Sequence, residues 1–144
     1  MATKPLTGTY VRSFSSNGYY VNLPYFGRIK NSNTDTTCTI CFKLALPQGR
    51  VNKLTFTIGV KNNLASATMS GAQYGIKLST TDNVEDLNPS LTDGTLSLNG
   101  VIPANGYGTV TGSIGADKLT DYGGKTIYVY LGAANTDSWS AISL

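Results

Sequence analysis

The stretch TTCTICFKLAL, residues 36–46, alternates apolar and polar side chains with a period of two. Successive side chains of a β-strand point to opposite faces, so this period predicts a strand with one face on a core and one in solvent. The stretch VNKLTFTIGV, residues 51–60, repeats the pattern. We therefore predict two half-buried strands of an antiparallel sheet. Their apolar faces would be formed by Cys38, Ile40, Phe42, Leu44 and Leu46, and by Leu54, Phe56, Ile58 and Val60.

Similar short segments continue along the chain, separated by turns rich in Gly and Asn, and no long stretch has a helical apolar period. Asn17-Gly18 predicts a tight hairpin turn, and Pro24 favours an edge or a bend. One helical turn is considered at residues 84–87. Further strands are predicted at residues 8–14, 19–23, 25–30, 74–79, 95–98, 107–114, 125–131 and 140–144.

These segments predict an all-β fold, an antiparallel, jelly-roll-like β-sandwich of eight to ten short strands. Two amphipathic sheets can bury their apolar faces against each other, which makes a sandwich the economical arrangement. A chain of 144 residues suits one domain, residues 1–144, with residues 1–7 as an extended N-terminal arm.

The chain contains no histidine and only eight acidic residues, one of them a glutamate. Histidine is the commonest general base and metal ligand, so its absence removes the Ser–His–Asp type of catalysis. The net charge of +3 is too small to indicate nucleic-acid binding, and no segment is long and apolar enough for a membrane span. We therefore expect a protein that is not an enzyme and needs no cofactor.

Cys38 and Cys41 form a C-x-x-C within the strand predicted at residues 36–46. Positions i and i+3 of a strand face opposite sides, so the two thiols could not form a disulfide without breaking the strand. A zinc site would need a second pair of Cys or His ligands. Two reduced structural cysteines are the expected outcome, with Cys38 facing the core.

The acidic residues of the loop at 80–94 are candidates for two kinds of chemistry. Glu85 and Asp86 are adjacent acids, but nothing nearby in the sequence would raise a carboxyl pKa for acid–base work. Asp82, Glu85 and Asp86 are a calcium candidate because calcium prefers hard oxygen ligands, although their spacing does not match an EF-hand loop. Solvated loop acids are the simpler interpretation.

Tyrosines are the more informative candidates for binding. Tyr128 and Tyr130 alternate with aliphatic residues, so they would form an exposed stripe if the aliphatic set is buried. Exposed aromatic rings suit a protein interface or stacking on a sugar ring, whereas tyrosines can also simply complete the edges of a core. The candidate interface or binding residues are Tyr19, Tyr20, Tyr25, Tyr128, Tyr130 and Trp139.

The segments LTDGTLSLNG (91–100), IPANGYG (102–108) and GKTIYVY (124–130) resemble the style of small β-sandwich modules in tailed-bacteriophage virions. The resemblance implies a structural protein that decorates the capsid or forms part of a head fibre or tail. It transfers no site residue, since it contains no diagnostic motif. Carbohydrate-binding modules share the same style, and a host-glycan-binding domain that uses exposed tyrosines is the alternative.

The resemblance also implies where the protein works and with what. The expected partners are other virion proteins and further copies of this chain, with trimers fitting the symmetry of capsids and fibres, and a host glycan in the alternative. The start of the chain, MATKP, lacks the apolar run of a signal peptide, so we expect assembly into a virion inside the host cytoplasm.

Overall fold

The computed structural model describes residues 4–15, 25–31, 34–63, 68–70, 73–81, 91–133 and 142–143. Over these ranges the chain is all-β and antiparallel, with one short helix. The elements are β1 (Thr9–Ser15), β2 (Tyr25–Asn31), β3 (Thr34–Ala45), β4 (Lys53–Asn62), β5 (Met69–Ser70), β6 (Gln73–Ser79), β7 (Gly94–Leu98), β8 (Val101–Ile102), β9 (Tyr107–Gly115), α1 (Ala116–Leu119), β10 (Thr126–Ala133) and β11 (Ile142–Ser143).

The predicted strands that fall in the described ranges are confirmed, with ends that differ by at most two residues. The short strands β5 and β8 and the helix α1 were not predicted, because two to four residues are too few to show a period. The strand predicted at 19–23 and the helical turn considered at 84–87 lie outside the described residues. Within the described ranges, no helix combines the length and apolar character that a membrane span requires.

Nine strands form one curled sheet in the order β1-β3-β10-β6-β7-β9-β4-β11-β2, and β2 then pairs with β3. Cys38 is the residue where this closure is visible, because it pairs with Ser15 of β1 on one side and Gly27 of β2 on the other. β10 and β2 therefore follow one another along the same edge of β3. The predicted antiparallel all-β class is confirmed. The described strands form one main sheet and the small β5–β8 ribbon. The jelly-roll-like sandwich of two sheets therefore stays a prediction.

The apolar core fills the inside of this curl. Alternating apolar residues of β3, β4, β6, β7, β9 and β10 point inward, and those predicted for β3 and β4 are among them. Phe42 and Ile58 are half-buried. Phe42 of β3 and Phe56 of β4 meet edge to face, with ring centroids 6.2 Å apart. β3 and β4 are not neighbours in the sheet, so this contact crosses the inside of the curl.

The middle of β3 is buried on both faces, which corrects the prediction of a half-buried strand. Cys41 and Thr39 point away from the core yet are buried, because Cys41 belongs to a second apolar cluster with Tyr130. Val11, Leu91 and Tyr128 pack against this outer cluster. Sequence alternation alone could not reveal it, since its cover comes from segments distant in the chain.

Candidate binding surface

The outer face of β7, β9 and β4 carries two rows of three hydroxyl side chains, which we call the hydroxyl face. Register pairs Thr55 with Ser113 and Ser113 with Thr95, and in the next row Thr57 with Thr111 and Thr111 with Ser97. Neighbouring strands lie about 4.8 Å apart and same-face residues along a strand about 6.7 Å apart. All six side chains are exposed except Thr111, which is half-buried.

The hydroxyl face exists because the same strands alternate strictly. Their inward positions are buried apolar residues such as Leu54, Leu96 and Val110, so the outward positions must face solvent. Threonine suits those positions because its β-branched side chain favours extended backbone. On β4, charge enters this face only at the strand ends, at Lys53 and Lys61. The centre of the face is therefore polar but neutral.

An exposed aromatic ring lies at one end of this face. Tyr107, the first residue of β9, is 78% exposed, and the ammonium of Lys61 lies 5.9 Å from its ring centroid. Lys61 and Tyr107 are register partners, so the cation covers part of the ring without burying it. The next pair on this face is Gly59 and Thr109, and nothing lies within 4 Å of where a Gly59 side chain would begin.

Asn99 connects this ring to the hydroxyl face through defined hydrogen bonds. Its Nδ2 donates to Thr109 Oγ1 at 2.9 Å, and its Oδ1 accepts from Thr111 Oγ1 at 3.1 Å. The backbone N–H of Asn99 donates to the Thr109 carbonyl at 3.0 Å, which fixes the position of the side chain. We call Tyr107, Lys61, Gly59, Thr109 and Asn99 the Tyr107 corner.

The structure separates the tyrosines proposed from sequence. The exposed stripe is wrong for Tyr130, which is 2% exposed, because Cys41, Val11 and Leu91 surround it in the outer cluster. Its hydroxyl donates to the Thr81 carbonyl at 3.4 Å. Tyr128 is half-buried in the same cluster.

The remaining aromatic candidates lie partly or wholly outside the described residues. Tyr25 begins β2, where its backbone pairs with Ser143, and its side chain is outside the described part. Tyr19, Tyr20 and Trp139 lie outside the described residues altogether. Their proposed role in binding therefore stays a prediction.

Among the loop acids, Asp93 is described and has a structural role. Its Oδ2 accepts from the Leu78 backbone N–H at 2.8 Å, and its own N–H donates to the Ile76 carbonyl at 2.8 Å. Both bonds fix the start of β7 against β6. The calcium candidates Asp82, Glu85 and Asp86 lie outside the described residues, and the described ones contain no group of three or more metal-binding side chains.

Both cysteines are free and buried. Alternation along β3 places Cys38 on the core side and Cys41 on the outer side, as the strand period predicted. Burial raises the pKa of the Cys38 thiol from its ordinary 9.0 to about 11. A thiol with a raised pKa is protonated near neutrality and is a poor nucleophile.

A wide surface depression of 590 Å³ lies beside α1. It contains one cationic side chain, Arg50, and one carboxylate, Asp121, and otherwise small residues. Such a site offers no converging set of polar groups and no apolar enclosure for a small ligand. It is lined by Gly49, Arg50, Val51, Ala116, Thr120, Asp121 and Gly123.

Sequence reasoning missed Tyr107, although a signal was present. Tyr107 follows the turn at residues 103–106 and has the same parity as Thr109, Thr111 and Ser113, whereas Val110 and Ile114 have the opposite one. Once the aliphatic set is assigned to the core, Tyr107 must face outward.

A scan against protein-family models, a search of curated proteins and a search of solved structures each found no match to this chain.

Proposed function

We propose that this chain is a non-enzymatic structural protein of a bacteriophage particle, decorating the capsid or forming part of a head fibre or tail. The observation that carries the proposal is the hydroxyl face, a neutral patch on the outer side of three well-paired strands. In an average globular protein about 25% of the residues are charged. A neutral centre on a hydrogen-bonded sheet suits contact with another protein surface, where buried unpaired charges would be costly.

The hydroxyl groups of this face can donate and accept hydrogen bonds, so they can exchange water for polar groups of a partner without a charge being desolvated. Each such bond contributes only about 1 kcal/mol, so a single contact of this kind would be weak. In a particle with many copies, linked contacts raise the effective concentration and make weak interfaces sufficient. The proposed partners are copies of this chain, trimers included, and other virion proteins.

The composition supports the same conclusion. A chain without histidine lacks the usual general base, and Asp93, the described acid of the 80–94 loop, accepts a hydrogen bond from the Leu78 backbone N–H. The jelly-roll sandwich, which the style of residues 91–130 implies, belongs to this proposal, as does the virion location. The described curled sheet supplies the antiparallel framework that such a module requires.

Light scattering coupled to size-exclusion chromatography tests the assembly role. We expect the wild-type chain to exceed its 15.2 kDa monomer mass as concentration rises. Thr111→Lys places a cation at the centre of the hydroxyl face and should keep the protein monomeric. Thr126→Lys, an exposed strand threonine outside that face, is the matched control and should behave as wild type. A wild-type chain that stays monomeric up to ~1 mM, about −4 kcal/mol of association, would refute self-assembly.

A further inference from the structure

We propose that the Tyr107 corner binds a neutral pyranose oligosaccharide, with one sugar ring stacked on Tyr107. This role is additional to assembly through the hydroxyl face, with which the Tyr107 corner shares the hydroxyl of Thr111. The proposal depends on the exposure of the ring, the open position beside it and the fixed polar groups next to that position.

The ring of Tyr107 is exposed for stacking, and the ammonium of Lys61 lies against it. Its 78% exposure exceeds the 43% of Tyr10 and the 64% of Val101, the other large exposed apolar side chains in the described ranges. Because the Lys61 ammonium lies 5.9 Å from the centroid, part of the ring is already restrained. A restrained ring loses less conformational entropy on stacking, which favours binding. Aromatic rings present a flat apolar surface that matches the C–H face of a sugar.

Gly59 leaves the space that a bound sugar would need. It pairs with Thr109, the next outward residue after Tyr107, about 6.7 Å along β9. Nothing lies within 4 Å of the position of a Cβ at Gly59, so the sheet has an open floor there. A bulky residue in the same place would stand between the ring and the hydroxyl groups.

The polar groups beside this floor have unused hydrogen-bonding capacity of both kinds. Thr109 Oγ1 accepts from Asn99, so its own hydrogen can be donated to a ligand. Thr111 Oγ1 donates to Asn99, so its lone pairs can accept. Sugar hydroxyls both donate and accept, and this donor–acceptor pair complements them. The described charge in the corner is that of Lys61, which lies against the ring, so the site favours a neutral sugar over an acidic one.

The test is a ¹H–¹⁵N NMR titration of the full chain with three neutral probes, maltohexaose, cellohexaose and mannohexaose, and with hexagalacturonate as the anionic probe. We expect at least one neutral probe to shift the resonances of residues 59, 61, 99 and 107–111. Tyr107→Ala should weaken that binding about tenfold or more, while Tyr107→Phe, which keeps the ring, retains it. Thr109→Val should weaken it several-fold.

Tyr10→Ala, which removes another exposed tyrosine, is the matched control and should leave binding unchanged. The proposal is overturned if no neutral probe shifts these resonances, if binding survives Tyr107→Ala, or if only hexagalacturonate binds. The last result would show simple attraction to Lys61. Light scattering on Tyr107→Ala separates this site from the assembly role, because the variant should self-associate like wild type.

Discussion

At the scale of single residues, two glycines make the outer cluster possible. Gly75 of β6 and Gly132 of β10 are register partners on the outer side of the sheet. A Cβ at Gly75 would lie 2.6 Å from both Leu91 Cβ and the Leu91 carbonyl oxygen, and one at Gly132 would lie 2.7 Å from Leu91 Cδ1. Leu91 therefore packs into a shallow groove that exists only because both side chains are absent. This packing covers Tyr130 and Cys41.

Gly75→Ala should destabilise the protein by about 1–3 kcal/mol, the usual cost of overpacking a well-packed site. The backbone of Leu91 would have to move, because its carbonyl oxygen is one of the atoms met. Urea denaturation measures the loss. Gly59→Ala is the control, since it adds a methyl group to open space and should change stability by no more than about 0.5 kcal/mol. Equal effects of the two variants would contradict the groove.

Cys38 should make stability depend on alkaline pH. Its folded pKa of about 11 lies above its ordinary 9.0, so its contribution to stability is complete below pH 9 and is lost as pH rises towards 11. The slope approaches about 1.4 kcal/mol per pH unit for one proton. Cys38→Ala should remove this part of the decline. The measurement is the free energy of unfolding of both proteins between pH 8 and 11. An equal fall in wild type and Cys38→Ala would show that Cys38 does not contribute.

At the scale of elements, Asn62 holds the turn before β9 in place. This buried residue at the end of β4 donates from Nδ2 to the carbonyls of Ile102 and Pro103, at 3.2 and 3.1 Å. Its backbone N–H donates to the Gly106 carbonyl at 2.9 Å. These bonds fix the segment from which Tyr107 emerges, so they position the ring as well as the turn.

Asn62→Ala should cost about 1–3 kcal/mol, because it leaves buried carbonyls without their donor. Hydrogen exchange should also accelerate in residues 102–106 more than in β6 or β10. Asn63→Ala is the matched control, since its Nδ2 makes a longer, local bond of 3.4 Å to the Lys61 carbonyl. A uniform change in exchange across the sheet would contradict a local role for Asn62.

The strands could be predicted from sequence because period-two alternation is local information. The spacing of Leu54, Phe56 and Val60 predicts the inner face of β4 wherever that strand lies in the sheet. Strand order is not local: nothing in β3 specifies that β10 and β2 follow one another along the same edge. The burial of Tyr130 depends on Leu91, almost forty residues earlier in the chain, and for that reason the exposed stripe was wrong.

At the scale of the whole molecule, the curl brings strands together that the sheet order keeps apart. The contact between Phe42 and Phe56 is the clearest evidence, with an interplanar angle of 72° and a centroid separation of 6.2 Å. Closure in this manner places the apolar faces of β3 and β4 against each other around a shared core. The outer face of β4, β9 and β7 remains exposed to solvent.

A double-mutant cycle measures whether this closure exists in solution. Phe42→Leu and Phe56→Leu should each destabilise the protein, and the pair should show a coupling energy of about 0.5–1.5 kcal/mol, typical of aromatic contacts. The pair Phe56→Leu and Tyr122→Leu is the comparison cycle, because both aromatics pack in the core whereas the ring contact of Phe56 is with Phe42. Strict additivity of Phe42→Leu and Phe56→Leu would contradict a closed curl.

Whether the hydroxyl face is an assembly surface can be measured by a concentration series of ¹H–¹⁵N NMR spectra of the wild-type chain. We predict that resonances of Thr57, Ser97 and Thr111 and their neighbours on β4, β7 and β9 shift or broaden as concentration rises. Resonances of β10, which β6 separates from this face in the sheet, should stay in place. Concentration-dependent changes confined to other strands, or none at all, would contradict the claim.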